Sequence, residues 1–297
     1  MRVLLARAWP ATWPPVVFLV FLLALWELAL AQEWISDLIL PRPGEVAVSF
    51  YELVRDGLLW EDAWATTFET IAGFGFAAVL GISLAIVCGL WDLPRRALYP
   101  YIITLQVTPR IAIAPILIAW LGFGYTPKIV LAATIAFFPI FVNALTGIVS
   151  VDRDSREMFR SLGANRRQTF THLMLPSSLP VTFAGLKVGM TLALIGAVVG
   201  EFISADKGLG LLVQRFSSQL NMSDAIAVIL VLTILGLILY AIVEYIDRLV
   251  CFWGHEGRLV ARSKRRAARA KRRGLGVSPT SAGSGDRVAV DGGGLRR

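Results

Sequence analysis

Apolar residues in this chain neither alternate with polar ones nor form the narrow stripe of a soluble helix; they come in long runs. A bilayer core about 30 Å thick is spanned by roughly 20 mostly apolar residues in a helix. Six runs approach that length: Pro15–Ala31, Phe68–Leu90, Leu98–Gly122, Pro127–Val149, Ser178–Ile203 and Ala225–Val250. None shows the period-two pattern of a membrane barrel strand. The pattern therefore predicts an all-α integral membrane protein with six transmembrane helices. The first run follows Arg2 and Arg7, as a secretion signal would. It is long, however, contains Glu27 and has no small-x-small cleavage site followed by a soluble domain, so it reads as a retained helix.

Composition agrees. Of 297 residues, 56% are hydrophobic and 17% charged, against about 45–50% and about 25% in soluble domains. This excludes a soluble enzyme, a disordered chain, a collagen and a disulfide scaffold. Charge then orients the spans. The segment between the first two, Gln32–Thr67, carries Arg42 and Arg55 against seven acids. Alternate connections are basic: Arg95 and Arg96 follow the second span, and Arg153, Arg156, Arg160, Arg166 and Arg167 follow the fourth. Positive residues collect on the cytoplasmic side. Both ends are thus expected in the cytoplasm, with an N-terminal segment 1–14, a membrane domain 15–250 and a tail 251–297. That tail holds twelve Lys and Arg and supplies most of the net charge of +8. Its Gly/Ser-rich end is expected to be disordered, and its basic part to meet anionic lipid. No recognition fold or aromatic interleaving points to nucleic acid.

Two cysteines, Cys88 and Cys251, and two histidines, His172 and His255, are too few for a metal site built on these ligands. No nucleophile–base set stands out, which leaves a membrane-anchored enzyme without support.

The longest internal cytoplasmic loop is residues 150–177, SVDRDSREMFRSLGANRRQTFTHLMLPS. Asp154 and Glu157 have the spacing of a helix N-cap with a reciprocal partner. Met158, Phe159 and Leu162 then share a face, and Gly163 can adopt the left-handed conformation that ends a helix. Asn165 and Gln168 repeat the capping spacing, with Phe170, Leu173 and Met174 as the apolar side of a second short helix that Pro176 is expected to stop. Apolar positions on so basic a loop mark a docking surface.

These residues resemble the loop signature of permease subunits in binding-protein-dependent ABC importers: E-A-A, three residues, G, nine residues, I-x-L-P. It stands here as Glu157-Met158-Phe159, Gly163 (followed by Ala164) and Leu173-Met174-Leu175-Pro176, with both spacings intact. Residues Pro109–Gly124, Phe137–Ile148, Leu179–Phe202 and Lys207–Gly210 are similar to the sulfonate, nitrate, taurine and thiamine-precursor branch. The resemblance implies a type I importer permease-like bundle whose loop is a coupling helix seated on a cytoplasmic ATPase. It also implies a second permease copy, an extracytoplasmic solute-binding protein and a bacterial inner-membrane location. The chain has no G-x-x-x-x-G-K-[ST] loop to cradle phosphates. No cofactor is expected on it, and ATP and Mg belong to the ATPase partner.

Ionisable groups inside spans cost about 2.5–3.5 kcal/mol at the centre on insertion scales and demand an account. Arg110, between Pro109 and Pro115, falls near mid-depth of a span expected to be kinked or broken. Broken helices border pathways in transporters, and a cation there favours an anionic solute. The plainer reading is an ion pair with Glu201 or Glu27. Lys187 is expected to reach toward the cytoplasm, Glu201 to act as a structural pair or gate, and Asn143 to bond across helices. Gly73, Gly75, Gly81, Gly185, Gly189, Gly196 and Gly200 allow close helix approach. The alternative, an ion-coupled secondary transporter or channel, predicts an internal repeat and mid-depth acids, and neither stands out.

Overall fold

The structure is a computed structural model that describes residues 2–32, 36, 39–57, 59–203 and 206–252, those before Trp13 as backbone only. The described helices belong to one unit, Met1–Cys251; of a second unit, 252–297, Phe252 alone is described, so the expected lipid-binding, disordered tail lies outside the described residues.

Among the described residues five helices are long and apolar enough to cross a membrane, and there are six such elements when a bent pair is counted as one span. The single helices are α1 (Arg2–Ala31), α3 (Leu59–Leu90), α6 (Tyr125–Val149), α9 (Leu175–Ile203) and α11 (Met222–Val250). The bent pair is α4 (Asp92–Val107) and α5 (Ala114–Leu121), joined through a three-ten turn at Arg110–Ile113 and bent by 84°. Proline explains the break. Pro109 and Pro115 flank the turn, and a proline removes one backbone donor while its ring crowds the preceding turn.

Two helices were not evident in the hydropathy pattern: α2 (Pro43–Arg55) lies in the acidic segment and α10 (Leu209–Ser218) follows α9. Both are short and amphipathic, and their apolar sides bury Leu53, Leu209 and Leu212 against Ala227 and Val228 of α11.

The centre is α3, α6 and α9. Gly73 faces Ala132, Gly81 and Gly189 face Ile140, Gly185 faces Asn143 and Pro139, and Gly196 faces the Ala132 backbone. Small residues let helices approach closely in lipid, where dispersion and backbone contacts replace the hydrophobic drive. Gly75 is the exception, with nothing within 4 Å of the space a side chain would take. Below this seam, toward the end that carries the basic loops, Ala85, Cys88, Phe141, Ala144 and Ile148 form a second apolar cluster.

The glycine contacts predict a contrast. A β-carbon at position 196 would lie 2.7 Å from the Ala132 Cα, so Gly196→Val should destabilise by about 1–3 kcal/mol as overpacking does. Gly75→Ala should change the unfolding midpoint little. Thermal unfolding of the two purified variants in detergent checks both.

Candidate functional site

The loop at 150–177 begins at the end of α6. Helix α7 (Arg153–Ser161) is capped by Asp152, whose Oδ2 accepts from the Ser155 amide at 3.3 Å. The cap is thus two residues earlier than the expected Asp154. The reason is local: Ser155 presents both its amide and its hydroxyl to Asp152 Oδ2. Arg156 Nη2 donates to the Ile148 and Val149 carbonyls, both at 3.1 Å. These lie in the last turn of α6, where carbonyls lack intrahelical partners and a cation is favoured. Arg156 thereby ties α7 to a membrane helix, a contact that sequence reading missed because it joins two elements at an unknown angle.

At its other end α7 closes with Gly163 at φ +75°. The Gly163 amide donates to the Arg160 carbonyl and the Ala164 amide to the Phe159 carbonyl, a Schellman closure. Asn165 and Gln168 then form a reciprocal capping box that opens α8 (Arg166–Thr169). Pro176 does not stop the second helix. Phe170–Met174 widen into a π-turn and the chain runs directly into α9. Proline 176 has no amide for the residue-172 carbonyl and its ring would clash there, and the wider turn absorbs both defects.

This construction divides the loop's apolar residues. Phe170 and Met174 pack into the cluster with Ile148; Phe159, Ala164, Leu173, Leu175 and Pro176 are half-buried. Met158 and Leu162 are 55% and 76% exposed, and Glu157 is exposed beside them. A rigidly capped helix therefore presents two large apolar side chains.

The second feature is the broken span. Arg110 makes no ion pair with Glu201 or Glu27. Its Nη1 donates to the Ile135 carbonyl at 3.3 Å, its Nη2 to the Gln106 carbonyl at 2.9 Å, and its guanidinium lies 4.2 Å from the Phe138 ring centre. Both carbonyls are orphans. Pro139, inside α6, has no amide for Ile135, and Gln106 lies in the last turn of α4. Arg110 replaces the backbone donors that the two proline-disturbed helices lack. Asn143, expected to bond across helices, instead donates to the Pro139 carbonyl of its own helix at 2.8 Å. Its Cβ fills the space beside Gly185, which leaves its amide facing its own backbone.

At the end of the bundle opposite the basic loops lies a buried polar knot. Glu69 of α3 pairs with Lys128 of α6, and both are buried. Glu201 of α9 is 0% exposed and accepts from Thr66 Oγ1 at 2.6 Å and from the Gly210 amide at 2.7 Å. The Gly208 amide donates to Asp62 Oδ1 and the Leu209 amide to Thr66 Oγ1. Three successive amides at the start of α10 are therefore capped by side chains of α3 and α9, where negative charge is favoured. Gly208 sits at φ +137°, and a β-carbon there would strike the Glu201 carboxylate. Lys207 completes the attachment at 2.8 Å from Glu61, whose hydrogen bond and charge raise the lysine's pKa. Lys187 Nζ lies 2.7 Å from Asp247 Oδ2 in the last turn of α11, an ion pair that joins two membrane helices.

The described residues thus form a membrane bundle with a capped loop at one end, and no group of metal-ligating side chains stands among them. The family described as binding-protein-dependent transport system inner membrane component matches residues 77–250. The chain belongs to that family. It is 32% identical over 239 residues to the formylaminopyrimidine transport permease protein ThiX of Halalkalibacterium halodurans, covering 80% of this chain and 95% of that protein. It is 34% identical to the riboflavin transport system permease protein RibX of Chloroflexus aurantiacus, covering 82% and 91%. It is 31% identical to the putative aliphatic sulfonates transport permease protein SsuC of Escherichia coli, covering 83% and 94%. The MetNI methionine ABC transporter, solved in inward-facing conformations, shares the fold at TM-score 0.58 and 18% identity, covering 65% of this chain and 98% of that one. The chain is therefore a multi-pass inner-membrane permease subunit of an ABC importer, non-catalytic, with ATP handled by an ATPase partner and solute brought by a binding protein.

The assignment of Arg110 to orphan carbonyls predicts a rescue. Arg110→Met should lower stability by about 1 kcal/mol, the low end of the cost of leaving a carbonyl unpaired, because the Ile135 carbonyl is only part-buried and the Gln106 contact is exposed. Pro139→Ala in the same chain returns an amide to Ile135 and should recover part of that loss. Unfolding midpoints of the single and double variants measure it.

Proposed function

We propose that this chain forms the translocation pathway for a small solute and moves it in response to a cytoplasmic ATPase that grips the loop at 150–177. The observation that carries the reading is the capped α7, with Met158 and Leu162 outward and Arg156 fastened to α6. A force on the exposed pair reaches α6 through Arg156 and reaches α9 through the continuous turn at Phe170–Met174. Glu157, Met158, Phe159, Gly163, Ala164, Leu173, Leu175 and Pro176 are the coupling residues in this reading. A second copy of the chain supplies the other half of the pore, and both ends lie in the cytoplasm, as the basic loops direct.

For the solute, the proposal is a small nitrogen heterocycle of the pyrimidine or flavin type. The likeness to ThiX and RibX supports it, and so does the engagement of Arg110 by carbonyls and Phe138, which leaves it poorly placed as a free anion clamp. A second reading, a sulfonate or similar anion, draws on the likeness to SsuC and on the cation held at the break. Pro109 and Arg110 border the pathway in either case. Asn143, Lys187 and Glu201 set the packing of the helices around it and touch no solute.

Two loop variants and one uptake assay test this. With the ATPase and binding protein present in proteoliposomes, Gly163→Pro and Glu157→Lys should insert normally and lose ATP-dependent uptake. Undiminished uptake by both would remove the coupling role. In the same vesicles, formylaminopyrimidine or riboflavin should be taken up and taurine should not; the reverse order would favour the anion.

A further inference from the structure

At the end of the bundle that carries the basic loops, α4 and α6 part to leave a cleft of about 490 Å³. Its floor is apolar, from Val142, Leu145 and Val149; Thr146 and Ser150 add hydroxyls; and Arg95, Arg96 and Tyr99 stand at its rim. Neither arginine forms an ion pair among the described residues. Nor do they serve their own helix: both fall in the first turns of α4, the end at which the helix dipole disfavours a cation. The cleft is thus cationic at the water level and apolar one turn deeper, between two membrane-spanning elements. This division matches an amphiphile with a phosphate head and an acyl chain, and it matches neither a free anion, which has no use for the apolar floor, nor an acidic protein surface, which would not enter the cleft.

We propose that this cleft binds one anionic phospholipid, its phosphate on Arg95 and Arg96 and the start of an acyl chain along Val142, Leu145 and Val149. The site depends on neither the coupling role nor the identity of the solute. A lipid wedged there holds the N-terminal part of α4 against the end of α6, just above the Ile148 and Val149 carbonyls to which Arg156 fastens α7. Occupancy would then stiffen the joint through which the loop reaches the spans.

Native mass spectrometry of the full chain in uncharged detergent, with equal phosphatidylglycerol and phosphatidylcholine, tests the proposal. Two arginines near the surface correspond to roughly thirty-fold preference for the anionic lipid, seen as one retained adduct per chain that glycerol phosphate does not displace. Arg95→Gln with Arg96→Gln should bring the two lipids to parity, while Arg95→Lys with Arg96→Lys should keep the preference. Thr146→Trp, which fills the cleft and leaves the charge, should also lose the adduct; it carries the test if the glutamine pair fails to insert. Equal retention of both lipids by the unaltered chain would overturn the site. So would a preference that survives Thr146→Trp, or displacement by glycerol phosphate alone. A glutamine pair that keeps its lipid preference but no longer co-purifies with the ATPase would overturn it in favour of a protein partner.

Discussion

Every backbone donor and acceptor inside a bilayer must find a partner within the protein, because lipid offers none. An unbroken helix meets that demand by itself. This chain breaks or ends helices at several places within or at the edge of the membrane, and at three of them side chains make good the loss. Arg110 serves the carbonyls of Ile135 and Gln106 at the broken span. Arg156 serves those of Ile148 and Val149 at the end of α6. Asp62, Thr66 and Glu201 serve the first amides of α10. Arg110 and Glu201, which look anomalous in a hydropathy plot, are means by which irregular backbone survives there, while Glu69 with Lys128 and Lys187 with Asp247 pair with each other.

The same bonds join elements that packing alone would leave free to slide. Between α3, α6 and α9 the glycine contacts are close but non-directional, so the bundle has a core without a unique register of its own at its two ends. The knot around Glu69, Lys128 and Glu201 pins one end, and Arg156 with the cluster around Ile148 and Met174 pins the other. A loop built as a capped lever on that second end has a mechanical route into α6 and α9, while the exposed Met158 and Leu162 remain for a partner.

Hydropathy and charge carried the larger part of this in the sequence. The six runs, the glycine spacing and the breaks at Pro109 and Pro115 are local properties, and so is the loop with Gly163 and the Asn165–Gln168 box. What stayed hidden was pairing across distance. Glu69 and Lys128 lie on different helices, Lys187 meets Asp247 from another, and Arg110 was expected beside an acid when its partners are carbonyls freed by a proline in α6. Charge suggests charge when only the sequence is seen, and orphaned carbonyls are invisible until the helices are placed. Pro176 misled for a related reason: a proline signals an interruption, and the structure shows it absorbed by a π-turn in a continuous helix.

The central claim is that this chain is the mechanical half of the transporter, moving solute only as an ATPase drives its loop. Solute uptake into proteoliposomes, measured with and without the ATPase subunit and ATP and with ion gradients collapsed, tests it most directly. The account predicts uptake that requires both ATPase and ATP and is indifferent to the gradients. Uptake that persists without the ATPase and follows an ion gradient would contradict it.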